Sequence, residues 1–239
     1  MPLTRVNTTS GADYTGSSST TIAAAAASHT TGNMLIVGVR WGVANAFSTI
    51  ADTAGNTYRK IGRSGFSASA IELFVANNIT GHATNVVTAT VAPSNAFRGI
   101  VVAQYSGQAI ASPVLDAMPS IDGFTSASSG TSKTSLPFTT LIADELIVAL
   151  SQVNSVGGTW TPDTGFSTAV QDASNVLYLQ DRIVSSIQTG ITVTCTSSQN
   201  AGVDLLVATF TAPLTGGGGS PGGSPGDGGT ETGFATVGG

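Results

Sequence analysis

The chain says nearly the same thing twice, which restricts it to architectures that can be built from a repeated unit. Leu35-Ile36-Val37 recurs as Leu146-Ile147-Val148, Gly55 in DTAGNTY recurs as Gly165 in PDTGF, and Leu73-Phe74 with Ile79 recurs as Leu177-Tyr178 with Ile183. Farther along, VTATVAPSNAFRGIVVAQY aligns with VTCTSSQNAGVDLLVATF, setting Thr88 against Thr194 and Ala103 against Ala208. The order of elements is kept while the offset drifts by only a few residues, the pattern of a decayed internal duplication with small loop changes.

Within each copy, alternating and β-branched runs are bounded by Gly, Asn, Pro and Ser, and no segment carries a helix period. Strands are predicted at 4–7, 20–26, 34–41, 48–52, 57–62, 70–77, 85–92 and 98–105, then at 135–141, 145–153, 167–171, 176–184, 190–196 and 204–211. The run Ala23 to Ala27 has high helix propensity but is too short to nucleate a helix. Its Thr- and Ser-rich flanks pull it toward an extended strand with close backbone packing. The expected fold is all-β: an antiparallel, jelly-roll-like β-sandwich built from an internal duplication, with a Gly-rich C-terminal tail. The first copy spans 1–110, a crossover 111–134 and the second copy 135–215, and the copies form either one sandwich or two. The Ser-, Gly- and Pro-rich crossover carries Val114, Leu115 and Met118, so part of it is expected to pack on the surface.

Residues 216–239 open with GGGGSPGGSPGDGG, a flexible tether, and close with TETGFATVGG. Phe234 and Val237 are the only large apolar side chains past the spacer. A spacer ending in a short apolar peptide is how a docking segment that adds to a partner's sheet edge is built, and the alternative is an ordinary free terminus.

Composition narrows the function classes. Charged residues make up 9% of the chain against roughly 25% in an ordinary globular protein, and hydroxyl and amide residues take their place. Such a neutral surface suits proteins that work outside cells or in large assemblies. A net charge of −5 with eight Lys and Arg argues against a nucleic-acid partner. The one basic cluster, Arg59, Lys60 and Arg63, reads as a solvated strand face or edge guard. No window is long and apolar enough for a membrane span, and MPLTRVN opens without an export-signal pattern, so membrane insertion is not expected.

The chemistry-bearing residues are few. Cys195 lies in the alternating run ITVTCTS and reads as a small core residue; with His29 and His82 it lacks zinc-ligand spacing, so no metal and no cofactor are expected. His29 and His82 sit in Thr- and Gly-rich connections without a nucleophile elbow and read as surface loop residues. DTAGNTY offers Asp52 either to a calcium ion or to its own backbone, and one carboxylate among neutral groups favours the turn. Glu72 with Asp181, or Asp52 with Asp163, would fall at matching places of the two copies as a glycosidase pair requires, but turn capping explains the second pair and no aromatic cluster surrounds either. Trp41, Trp160, Tyr58, Tyr105 and Tyr178 are spent on the core in the main reading. Trp160, in GGTWTPDTGF, is the best candidate for an exposed glycan contact.

The succession NMLIVGV, DTAGNTY, ELFVANNITG, NVVTATV, VVAQYSG, then DELIVAL, LQDRIV, ITVTCT and LLVATF, over about residues 30–212, resembles a β-sandwich module of bacteriophage virion structural proteins and bacterial secreted surface proteins. The opening MPLTRVN is similar to those of phage tail and capsid-associated proteins. The resemblance implies a non-catalytic building block and carries over no functional residue. It implies a virion location, released by host lysis, with copies of itself and other virion proteins as partners and a homo-oligomer, a trimer being one arrangement. Host surface glycans are a further expected partner, and an extracellular carbohydrate-binding or adhesion module is the alternative function.

Overall fold

The computed structural model describes residues 3–42, 47–66, 69–107 and 130–211, and every regular element among them is a strand. The first half holds β1 (Thr4–Asp13), β2 (Ser19–Ala23), β3 (Ala27–His29), β4 (Met34–Trp41), β5 (Phe47–Asp52), β6 (Arg59–Phe66), β7 (Ser69–Ala76), β8 (His82–Asn85), β9 (Val87–Asn95) and β10 (Arg98–Ser106). The second holds β11 (Ser132–Thr134), β12 (Glu145–Val153), β13 (Trp160–Thr161), β14 (Ser167–Gln171), β15 (Leu177–Val184), β16 (Thr194–Ser197) and β17 (Val203–Thr211).

These strands build four layers. A three-stranded outer sheet, β2-β9-β5, covers one face of the five-stranded inner sheet β1-β10-β4-β7-β6. A second inner sheet, β14-β15-β12-β17, is covered in the same way by β11-β16-β13. All the pairings are antiparallel. The inner strands of the two halves follow one order, β10-β4-β7-β6 in the first and β17-β12-β15-β14 in the second, and β3-β8 finds a counterpart in the isolated bridge between Phe138 and Ile191.

The two inner sheets pack face to face, and this explains their sequences. On β4, Met34 and Ile36 enter the shared central core while Leu35, Val37, Val39 and Trp41 point into the first sandwich. On β12, Leu146, Val148 and Leu150 meet them from the other side, while Ile147, Ala149 and Val153 point into the second sandwich. A strand covered on both faces has no solvent side to keep polar, so β4, β7 and β12 are buried from end to end and are mostly apolar, and the polar residues they do carry, such as Arg40, Glu72 and Gln152, are buried and hydrogen-bonded. The central core joins β4, β7 and β10 to β12, β15 and β17, so the chain holds two sandwiches fused back to back.

The run Ala23 to Ala27 is neither a helix nor the continuous strand its flanks predict: only Ala23 and Ala27 lie in strands. β2 ends at Ala23, Ala24 N donates to Val87 O, and Ala25 N turns to Ser10 O on β1, so the small residues carry the chain between two sheets. β1 extends to Asp13, beyond the predicted 4–7, because residues 8–13 pair with β10 as an edge strand and need no apolar alternation. The strand predicted at 135–141 is displaced to Ser132–Thr134, and β13, only two residues long, leaves no periodic signal. The crossover residues Val114, Leu115 and Met118 lie outside the described residues, as do Phe234 and Val237 of the tail.

Candidate functional site

The sequence-predicted candidates do not converge. Glu72 lies on β7 inside the first sandwich, where its carboxylate accepts from the Ser48 amide (3.1 Å) and hydroxyl and pairs with Lys60 Nζ at 2.5 Å. Asp181, on β15, points into the seam between the sandwiches and pairs with Arg5 at 2.7 Å. The two carboxylates occupy different layers, so they cannot flank one glycosidic bond.

Asp52 and Asp163 cap their own turns. Asp52 accepts from Asn56 N (2.9 Å), Asn56 Nδ2 (2.8 Å), Tyr58 OH (2.7 Å) and Asn85 Nδ2 (2.9 Å), which uses both oxygens on protein donors. Burial pushes this carboxyl up, but the hydrogen bonds from Asn85, Asn56 and Tyr58 outweigh it and hold it below the ordinary value. Asp163 accepts from Thr164 N and Thr194 N, both at 2.8 Å. Among the described residues no three His, Cys, Asp or Glu side chains gather as a metal site would require.

Two expectations are corrected. His29 is not a surface loop residue: it lies buried on β3 opposite His82 of β8, with Nδ1 3.0 Å from Asn85 Nδ2, and burial lowers its pKa. Trp160 is not exposed. Only 8% of it reaches solvent, its ring stacks on Tyr178 at 5.0 Å and 4°, and its Nε1 donates to Asn175 O at 2.9 Å. The pairing of the indole with a neighbouring strand outcompetes exposure because it satisfies both the ring and the N–H. Cys195 is buried, accepts from Gln180 Nε2, and burial pushes its thiol up to about 12, which removes it as a nucleophile at neutral pH. Arg59, Lys60 and Arg63 fall on β6, an edge strand of its sheet, but Lys60 is committed to the buried Glu72.

The side chains that do converge sit at the two ends of the seam. At one end Asp181 accepts from Tyr105 OH at 2.8 Å as well as from Arg5. At the other, Asp172 accepts from Tyr14 OH (2.7 Å) and from the backbone of Ser174, Val176 and Leu177. Beside it Arg40 lies 5.2 Å over the Tyr14 ring and donates to Gln152 Oε1 (2.8 Å), Phe97 O (2.8 Å) and Asn154 Oδ1 (3.2 Å). Gln152 in turn donates to Ser69 Oγ (2.7 Å) and to Asp204. Burial pushes the carboxyls of Asp172, Asp181 and Asp204 up, lowers Arg40, and drives the phenols of Tyr14 and Tyr105 well above their ordinary value. Such pairs hold layers together and supply no nucleophile with its base. No sequence motif points to them, because Arg5 and Asp181, Tyr14 and Asp172, and Arg40 and Gln152 lie 176, 158 and 112 residues apart.

Solvent reaches one of these groups. A cleft of about 330 Å³ opens between β1 and the β14–β15 edge, lined by Arg5, Gly165, Ser167, Asp181, Arg182 and Ile183. No protein-family model, curated protein or solved structure matches the chain.

Proposed function

We propose that the chain is a non-enzymatic structural protein of a bacteriophage virion, a capsid decoration, head-fibre or minor tail component. In this reading it is built on a duplicated jelly-roll-like sandwich, works through its assembly surfaces and a C-terminal tether, and is carried in the virion in several copies. The observation that carries the reading is that both inner sheets are buried on both faces. A block of this kind leaves the outward faces of the two outer sheets, the strand edges, the loops and the tail to meet a partner, and the buried ionisable groups are used to clamp the layers. The common strand order of the two halves supports the duplication, and the charge-poor, hydroxyl-rich composition supports an extracellular assembly.

The test is incorporation of a chain truncated after Thr215 into particles purified from lysed cultures. A truncated chain that keeps the full-length circular dichroism spectrum and melting temperature but is lost from the particles identifies residues 216–239, with Phe234 and Val237, as the anchor. Full incorporation removes the tether from the mechanism, and absence of the full-length chain from purified particles refutes the virion reading.

A further inference from the structure

We propose that the cleft between β1 and the β14–β15 edge binds a small carboxylate ligand, of the size of a single acidic sugar residue. The chain has only eight Lys and Arg, and two of them, Arg5 and Arg182, line this one opening. They come from strands of different sandwiches, so the site exists only because the two sandwiches are fused.

Their commitments differ. Arg5 is held by the buried Asp181, to which it donates Nη1 at 2.7 Å, so its charge is largely balanced. Arg182 meets no carboxylate among the described residues. Its guanidinium donates Nη2 to Gln188 Oε1 at 3.3 Å, a long bond that leaves most of its fork available. The guanidinium is also seated. Gly165 turns with φ +79, and a Cβ there would stand 3.5 Å from both Cζ and Nε of Arg182, so the glycine gives the flat group a surface to lie on.

The lining of the cleft also includes Ser167, which pairs with Asp181, and Ile183, which is 43% exposed. A planar cation in a cleft whose lining also includes a serine and an exposed isoleucine matches a carboxylate that carries hydroxyls and a hydrophobic ring face. The volume is at the small end of ligand pockets and suits one monosaccharide. The site does not rest on the virion reading and would stand if that reading failed.

The experiment is a titration of the ¹⁵N-labelled full-length chain with D-glucuronate, with D-glucose as the neutral counterpart. Saturable shifts are expected at the amides of Gly165, Ser167 and Ile183, with a dissociation constant of about millimolar, the affinity a ligand of this size reaches. Glucose should produce none. Arg182→Gln should weaken glucuronate binding about tenfold or more, the worth of one charge-assisted pair, with the melting temperature unchanged. Arg59→Gln, on the far edge strand β6, should leave binding as it was. Absence of saturable shifts, equal shifts with glucose, or equal weakening by Arg59→Gln and Arg182→Gln overturns the proposal.

Discussion

Replacing Gly38 with alanine tests whether the two sandwiches are pressed together as described. Gly38 lies mid-strand on β4, paired with Val101 and Leu73 on either side, and faces the seam. A methyl there would stand 2.3 Å from Leu150 Cδ1, and 3.0 Å from Leu150 Cδ2 and from Val101 Cγ2. Leu150 and Val101 are both fully buried, so neither can swing into solvent. Overpacking of this kind costs about 1–3 kcal/mol, against an intrinsic gain of about 0.5–1 kcal/mol when alanine replaces glycine in a strand, so the net expectation is a loss of about 1–2 kcal/mol. Leu150→Ala alone leaves a cavity and costs about 2–5 kcal/mol. In the double variant the methyl at 38 grows into the space vacated by Leu150, so its cost falls short of the sum by about 1 kcal/mol or more. Equilibrium urea unfolding of the four proteins at one pH reads these differences from midpoints at constant slope. If Gly38→Ala is as stable as the parent or more so, or if the two costs add within about 0.5 kcal/mol, the inner sheets do not meet at this point and the fused architecture is wrong.

Three further outcomes follow from the polar groups. Asp204→Asn keeps an acceptor for Gln152 and removes a carboxyl whose folded-state pKa is raised by burial; in the parent that group adds stability fully present below about pH 3.8 and lost as pH rises through its folded pKa. The variant should therefore compare best with the parent at pH 7 and lose that advantage toward pH 4 in urea midpoints; a difference independent of pH would contradict the burial. Asp52→Ala strands Asn56, Tyr58 and Asn85 and should cost at least about 2 kcal/mol at pH 7. Because the folded pKa of Asp52 is lowered, its stabilisation is present above about pH 3.8 and lost as pH falls through the folded value, so the penalty should shrink there, and a constant penalty would refute the network. Trp160→Ala removes a buried stacked ring at a cost of about 3–5 kcal/mol, read as a fall of roughly 10 °C in calorimetry; an unchanged melting temperature would mean that the ring is free.

How far the sequence carried the fold depends on what each strand faces. The runs at 34–41 and 145–153 are observed with those bounds, because a doubly covered strand is apolar over most of its length and stands out from its neighbours, its polar residues gathering toward its ends. The same completeness conceals what the second face meets. Leu35 and Ile36 look alike in the sequence, yet one enters the first sandwich and the other the seam, and only the apposition of β12 tells them apart. Polar edge segments such as residues 8–13 carry no pattern, since half-exposed positions tolerate any side chain. The cleft was legible only in fragments. Gly165 stood out as a repeated turn glycine and Asp181 as a carboxylate at a matching strand, but Arg5 joins them from 176 residues away and belongs to no motif.

The placement of the seam's charges supplies what its apolar centre cannot. Two flat aliphatic faces gain nearly the same energy at several offsets, because burial scales with area and is indifferent to direction. A slide of the inner sheets that kept Leu, Ile and Val in contact would still pull Asp181 from Tyr105 and Arg5 at one end and Asp172 from Tyr14 at the other. Asp181 would then be buried without its partners, at a cost of several kcal/mol, and Asp172 would lose the Tyr14 hydroxyl while keeping only the backbone donors of its own turn. The well-packed position and the paired position coincide in only one register, so the clamps select an arrangement that the central core then stabilises. The same logic explains why the clamps lie at both ends: a single clamp would permit rotation about itself, whereas two on opposite rims of one core fix both offset and angle.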